Sequence, residues 1–320
     1  MRIFLTGAAG FIGSNLADRL LSAGHNVVGF DNLSSGQIEF LRQALSLPNF
    51  RLENGDVLDA DRLTRAMSGC DFVFHLAANA DVRFGLDDPR KDLEQNTIAT
   101  WNVLEAMRTH GIKRIAFSST GSIYGEPAVF PTPEGAPFPI QTSLYGASKL
   151  AGEGLITAYA EGFGMQAYIF RFVSILGDRY THGHVFDFYK QLKAHPDRLD
   201  ILGNGRQRKS YLHVHDCISA MLTALEKARE RVNIFNLGTA EFCTVNESIA
   251  WISECLRLQP ELCYSGGERG WVGDSPFIFL ECTRIRSLGW APRFSIRESV
   301  VQTVRFLQDN EWIFARRASR

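Results

Sequence analysis

No run of this 320-residue chain approaches the eighteen or so apolar residues that a membrane-spanning helix needs. An excess of charge is missing too. Its 34 Lys and Arg face 35 Asp and Glu, so bulk electrostatics offer no nucleic-acid or membrane surface, and any anionic partner must be held locally. Cys70, Cys217, Cys243, Cys255, Cys263 and Cys282 are scattered without a C-x-x-C spacing, which reads as reduced structural thiols rather than a disulfide framework. The opening Met1-Arg2 stretch lacks the unbroken apolar core of a secretory leader. Gly7, Gly10 and Gly13 interrupt it and Asp18 and Arg19 follow, so a cytoplasmic protein is expected. The histidine pairs His182/His184 and His213/His215 have no third ligand near them in sequence, and no metal is expected. There is no repeat or low-complexity tract. The proline-rich run 127–139 reads as a rigid loop over a cleft, because it falls between a strand pattern and a helix pattern.

What is present is a rhythm. Short β-branched and aromatic runs at 3–6, 27–31, 50–53, 72–76, 115–118 and 166–170 alternate with helical patterns at 11–23, 37–45, 60–67, 93–109 and 144–161. Alternation of this kind builds right-handed βαβ crossovers, so the expected fold is α/β, a Rossmann doubly wound parallel sheet. After Phe172 the rhythm breaks. A helix near 185–194 and a basic stretch 206–209 follow, then a helix carrying Ala220 and Leu225 and a strand at 233–237 return to the sheet. This predicts a dinucleotide-binding domain of residues 1–172 and 211–240, with a smaller, discontinuous substrate-binding region of 173–210 and 241–320.

Gly7, Gly10 and Gly13 follow the first strand directly and open a helix, where backbone N–H groups and the positive helix end can face a pyrophosphate. Asp31 closes the second strand, at the distance where a carboxylate binds adenosine ribose hydroxyls and repels a 2′-phosphate; NAD is expected over NADP. Asp56, after the third strand, stands either at the adenine or as a turn or capping aspartate.

Tyr145 and Lys149 are four residues apart in a predicted helix and share a face, so the ammonium can stabilise a phenolate and lower the tyrosine pKa toward a usable base. Tyr189 and Lys193 repeat the spacing outside the strand-helix rhythm and read as an ordinary helix face. The first pair is distinguished by Ser118, Ser119 and Thr120 ahead of it at the end of the fifth strand.

Taken with His75-Leu76-Ala77-Ala78, Asn96, Ile123-Tyr124-Gly125, Tyr145-Gly146-Ala147-Ser148-Lys149 and Arg171 leading to Gly177, these segments resemble an extended short-chain dehydrogenase/reductase of the NAD-dependent nucleotide-sugar epimerase family. The chain is similar to that family, and to its UDP-glucose 4-epimerases, over essentially its whole length. The resemblance implies that Tyr145 takes the proton from the sugar O4, Thr120 hydrogen-bonds that oxygen, and Lys149 holds the nicotinamide ribose. By position it also implies cofactor contacts from Phe11 and Ile12 at the pyrophosphate, and from Asp31, Asn32, Leu33, Ser34, Ser35 and Gly36 at the adenosine ribose. Asp56 and Val57 are implied at adenine, with Leu76, Ala77, Ala78, Asn79 and Ala80 along the dinucleotide, then Asn96, and Val173 near the nicotinamide. A homodimer through the helices near 96–110 and 144–161 is implied as well.

The chain departs from the family at places that touch substrate. Gly121 and Ser122 stand where dehydratases carry Asp-Glu, so dehydration lacks its acid. Ser174 replaces an asparagine, Lys209 an arginine and Trp271 another arginine, although Arg269 and Asp274 flank that last position. Ile278 falls where many epimerases carry a tyrosine against the sugar. Arg83 and Arg179 are candidates for a uronate carboxylate or else surface charges. The expected substrate is therefore a UDP-linked sugar, UDP-glucose and UDP-galactose first. A UDP-uronic acid or N-acetylhexosamine, a reductase that releases NADH, and a non-catalytic NAD scaffold stay as alternatives.

Overall fold

The computed structural model describes residues 1–79, 84–137, 140–271, 274–275 and 277–318. Strands run in chain order β1 (Arg2–Thr6), β2 (Asn26–Asp31), β3 (Phe50–Asn54), β4 (Phe72–His75), β5 (Arg114–Thr120), β6 (Gln166–Phe172), β7 (Ser174–Leu176), β8 (Arg198–Ile201), β9 (Arg208–Lys209), β10 (Tyr211–His213), β11 (Val232–Leu237), β12 (Cys243–Thr244), β13 (Glu261–Tyr264) and β14 (Phe277–Ile278). Seven of them form one sheet in the order β11-β6-β5-β4-β1-β2-β3, every pair parallel. This is the doubly wound Rossmann architecture. The order reverses between β1 and β4, so the crevice at their carboxyl ends is where such sheets bind ligands.

A parallel sheet is covered on both faces and its strands read as apolar runs. One face packs Leu16 and Leu20 of helix Phe11–Ser22 and Ala220 and Met221 of helix Val214–Lys227. The other packs Leu63 of helix Ala60–Met67, Val103 and Met107 of helix Ala99–Thr109, and Ile156 and Ala160 of helix Leu144–Phe163. A separate cluster joins Leu176, Val185, Leu199, Ile252, Val300 and Val304 around helices His184–Ala194, Val245–Leu256 and Ile296–Asp309. Short ladders β10-β7, β12-β9-β14 and β13-β8 trim that part.

Several elements differ from the sequence reading. The helix expected at 37–45 is a 3-10 turn, Ile38–Leu41, followed by one α turn, Arg42–Leu45. The helix expected at 93–109 starts earlier, at Pro89, whose fixed φ suits a first helical position, and passes through a π-helical turn at Leu93–Ile98 before Ala99–Thr109. β5 and β6 each run two residues further than their apolar patterns. All six cysteines are free. Among the described residues no helix is long and apolar enough to cross a membrane, and no group of three His, Cys, Asp or Glu is placed to hold a metal ion.

Candidate active site

The β1–helix turn is built on close approach. Gly7 sits at φ +70°, and a Cβ there would meet Ala77 N at 2.8 Å; a Cβ on Gly13 would lie 2.0 Å from Gly7 O. Gly10 is the N-cap of helix Phe11–Ser22 and has no side chain to cap it, so the first N–H groups of the helix face the crevice at β1. Asp31, at the end of β2, is buried and anchors this turn: its Oδ2 accepts from Ala9 N at 2.9 Å and its Oδ1 from Leu33 N at 2.8 Å. Leu33 takes a left-handed φ of 58°, Gln37 N donates to Ala9 O at 2.9 Å, and Asn32, Ser34, Ser35 and Gly36 thereby wrap the glycine turn.

Asp56 ties two loops together. Asn32 Nδ2 donates to its Oδ2 at 2.8 Å and Leu58 N to its Oδ1 at 2.9 Å, which is the turn role left open by the sequence. Asn102 Nδ2 holds the carbonyl of the adjoining Val57 at 2.9 Å. At the end of β4, Leu76 N and Ala77 N both donate to Thr6 Oγ1 at 3.1 Å, and Asn79 N donates to Asn96 Oδ1 at 2.9 Å. The glycines, Asp31 and these loops form one crevice edge whose cradle any Cβ would fill, and they fit a dinucleotide. Ala80 and Arg83 lie outside the described residues.

Thr120 ends β5, and Tyr145 and Lys149 come from helix Leu144–Phe163, whose N-cap Ser143 accepts from Gly146 N at 3.0 Å. Thr120 lies close enough to Tyr145 to favour its phenolate; its hydroxyl donates to Ser122 Oγ at 3.2 Å and accepts from Ser122 N at 3.1 Å. Lys149 Nζ donates to Ser118 O at 2.8 Å and lies 4.7 Å from the Phe117 ring centroid. The three residues thus converge at the β5 edge beside the crevice. The expectation that Lys149 lowers the Tyr145 pKa is corrected by these surroundings. Burial pushes Tyr145 up to about 12, with the Thr120 hydroxyl pulling back and Asp92 adding to the rise. Burial also drops Lys149 to about 7, against the pull of Glu153 and Asp92. The other Tyr–Lys pair goes elsewhere: Tyr189 and Lys193 both bind Glu311, at 2.8 and 2.6 Å.

On the opposite wall, Lys209, Arg269, Trp271 and Asp274 come together. Lys209 Nζ pairs with Asp274 Oδ1 at 2.7 Å, donates to Ser275 O, and lies 5.8 Å from the Trp271 ring centroid. Arg269 Nη1 bonds Asp274 O at 3.1 Å and Glu126 Oε1 at 2.6 Å, joining this loop to the one after Tyr124. Ile278 reaches the catalytic turn, since a Cβ on Gly121 would meet Ile278 Cγ2 at 3.2 Å. Ser174 is exposed at the start of β7, and Val173 is buried against Gly238. Arg179 is not with them: its guanidinium pairs with Asp18 on helix Phe11–Ser22, beside Phe40 and Trp312. Nothing in the local pattern around Asp18 could show that Arg179, distant in sequence, would pair with it.

Two buried polar networks escaped the sequence reading. Arg171 pairs with Glu153 at 2.7 Å and donates to Tyr124 Oη at 2.7 Å and Glu134 O at 2.9 Å, while Ser119 Oγ donates to Glu153. Asp92 accepts from Asn79 Nδ2 at 2.8 Å, and Asn96 Nδ2 donates to Ser148 Oγ at 2.9 Å. The signal was a run of polar residues on otherwise apolar faces, which the mean pattern hides.

A hydroxyl, a phenol and an ammonium at one strand end, beside a glycine cradle at the switch point of a parallel sheet, define the dinucleotide-dependent short-chain dehydrogenase/reductase class. Within it, the chain belongs to the NAD dependent epimerase/dehydratase family, whose model matches residues 3–238, and NAD is its cofactor. A UDP-glucose 4-epimerase of Mycolicibacterium smegmatis is 33% identical over 316 residues, covering 97% of this chain and 99% of that one. Among solved structures, a UDP-glucose 4-epimerase of Thermotoga maritima with UDP-glucose matches with TM-score 0.87 at 32% identity, covering 97% and 100% of the two chains. A UDP-glucuronic acid 4-epimerase of Bacillus cereus with UDP-glucuronic acid and NAD matches with TM-score 0.89 at 26% identity, covering 97% and 99%.

Proposed function

We propose that this protein is an NAD-dependent 4-epimerase of a nucleotide sugar, with UDP-glucose and UDP-galactose as its first substrates. The observation that carries the reading is the convergence of Thr120, Tyr145 and Lys149 at the β5 edge beside the glycine cradle. In this reading the positive charge of bound NAD would offset the burial that keeps Tyr145 protonated, so that as a phenolate it takes the proton of the sugar O4 and later returns it, while Thr120 bonds that oxygen and holds it in line. NAD, held by the glycine turn and the Asp31 loop, would supply a hydride acceptor and donor for C4 of the sugar. Lys149, anchored by Ser118 O and the Phe117 ring, holds the ribose. Gly121 and Ser122 place no carboxyl group beside Thr120, which speaks against dehydration.

The relatives act on UDP-sugars by name, which supports a UDP-linked substrate, with residues 1–172 and 211–240 as the NAD domain and 173–210 and 241–320 as the substrate region. In this reading Lys209 and Arg269 meet the diphosphate, with Asp274 orienting Lys209 and Ser174 contributing a hydroxyl. Arg179, spent on Asp18, is withdrawn from the uronate contact. Ile278 favours a second reading, an N-acetylhexosamine: an aliphatic side chain against Gly121 leaves more room than a tyrosine would.

Proton NMR of the purified protein with UDP-glucose and no added cofactor tests the proposal. The UDP-galactose anomeric signal is expected. A silent spectrum from folded, NAD-loaded protein that turns over UDP-N-acetylglucosamine moves the assignment to the second reading. Accumulation of NADH in solution would make it a reductase.

A further inference from the structure

His75 lies wholly buried at the end of β4, and every polar atom around it has one direction. Thr6 Oγ1 already accepts two N–H groups, from Leu76 and Ala77, so its own proton goes to His75 Nδ1 at 2.8 Å. Nδ1 is therefore the acceptor, and the ring proton sits on Nε2, which donates to Thr100 Oγ1 at 3.1 Å. The Thr100 hydroxyl in turn donates to Asn96 O at 2.6 Å. Burial and the nearby Lys149 lower the His75 pKa to about 3, which agrees with a ring that stays neutral.

The chain of donors ends at a place with leverage. Asn96 sits in the π-helical turn Leu93–Ile98, where backbone pairing shifts from the fourth to the fifth residue and a side-chain hydroxyl can take a carbonyl instead. From there the Asn96 side chain accepts from Asn79 N at 2.9 Å and donates to Ser148 Oγ at 2.9 Å, and Ser148 Oγ donates to Tyr145 O at 2.8 Å. Two hydrogen-bonded stretches thus meet at Asn96: one from the cofactor edge of β1 and β4 ends on its backbone carbonyl, and one from its side chain runs through Ser148 to the backbone of the catalytic tyrosine.

We propose that His75, fixed as the neutral Nε2–H tautomer, is a positioning residue that sets Tyr145 through Thr100, Asn96 and Ser148. The inference rests on the epimerase reading for its kinetic test but not for its spectroscopic one. In a long-range nitrogen–proton spectrum of histidine-labelled protein, His75 is expected as the Nε2–H tautomer, unchanged between pH 6 and 9. An Nδ1–H or doubly protonated ring there overturns the proposal whatever the substrate.

In steady state, Thr100→Val, which keeps the shape and removes the hydroxyl, should lower kcat about tenfold with KM and NAD content unchanged. Thr100→Ser should restore kcat to within about threefold. His75→Gln, which keeps an N–H toward Thr100, should fall less than His75→Leu. If the valine and serine variants turn over alike, or if the loss is in NAD content with kcat per bound NAD unchanged, His75 serves the fold alone. An inactive wild type would refute the epimerase reading and leave the spectroscopic arm to decide.

Discussion

At the scale of single residues, Tyr145 and Lys149 carry opposite shifts from one cause. Burial raises the phenol to about 12 and lowers the ammonium to about 7, because each is driven toward its neutral form. Replacing Tyr145 with Phe removes the hydroxyl proposed to exchange the proton of the sugar O4. Turnover should drop by roughly a thousandfold, the middle of the range for general acid–base groups, while the NAD extracted from the protein stays at the wild-type amount. Turnover within tenfold of wild type would remove Tyr145 from the mechanism. For Lys149 the folded pKa lies below the unfolded one, so between pH 7 and about 10 the unfolded chain binds more protons and stability rises with pH, by up to roughly 1.4 kcal/mol per unit. Denaturant titrations at pH 7.5, 8.5 and 9.5 should show this slope in the wild type and lose it in Lys149→Met.

At the scale of elements, the glycine turn is the least forgiving part of the molecule. A methyl group on Gly13 would sit 2.0 Å from Gly7 O, a backbone atom that cannot swing away, so the helix must move off β1. Gly13→Ala is expected to lose most of its bound NAD and about 1–3 kcal/mol of stability, read by cofactor extraction and by denaturant unfolding. Retention of full NAD would mean that the turn is looser than its contacts imply. This element was legible from sequence, because glycines between a strand and a helix encode a local geometry. So were the core strands, whose apolar runs follow from burial on both faces. β5 was read two residues short because Ser119 and Thr120 look like loop. They are strand because they pair with Arg171 and Phe172 of β6, and Glu153, distant in sequence, gives the buried Ser119 hydroxyl a partner. The π turn at Leu93–Ile98 was illegible for a similar reason: no local propensity favours it, and what holds it is the Thr100 hydroxyl and the neighbours of Asn96. The Lys209–Asp274 pair joins residues whose closeness no helical or strand period announces.

At the scale of the whole molecule, two properties emerge that no single element owns. Trp101 is 46% exposed, and Leu93, Ile98, Leu144 and Phe163 are exposed with it on the two helical segments through which the family resemblance implies a homodimer. A stable homodimer needs at least about 1,000 Å² of buried surface, and an apolar face of this kind is where it would come from. Sedimentation should give a dimer for the wild type and a monomer for Trp101→Glu; a wild-type monomer at micromolar concentration rejects the pairing. The second property is acid sensitivity. His75 is held neutral with its pKa near 3, against 6.5 for a free ring, so below pH 6.5 the unfolded chain takes up a proton that the folded chain refuses. The His75 contribution is therefore full above about pH 6.5 and is lost progressively as the pH falls from there toward 3. His75 contributes a loss on the order of 2 kcal/mol at pH 5. His184, lowered in the same direction by burial and by Lys209, steepens the decline. Because His75 lies at the end of β4 and His184 on the helix that packs the smaller core, acid works on both parts at once, and unfolding midpoints followed by tryptophan fluorescence should fall between pH 7 and 5. A midpoint that does not change over that range would mean that these rings are already charged or solvated in the folded chain, and with that the one-directional hydrogen-bond path through His75 would fail as well.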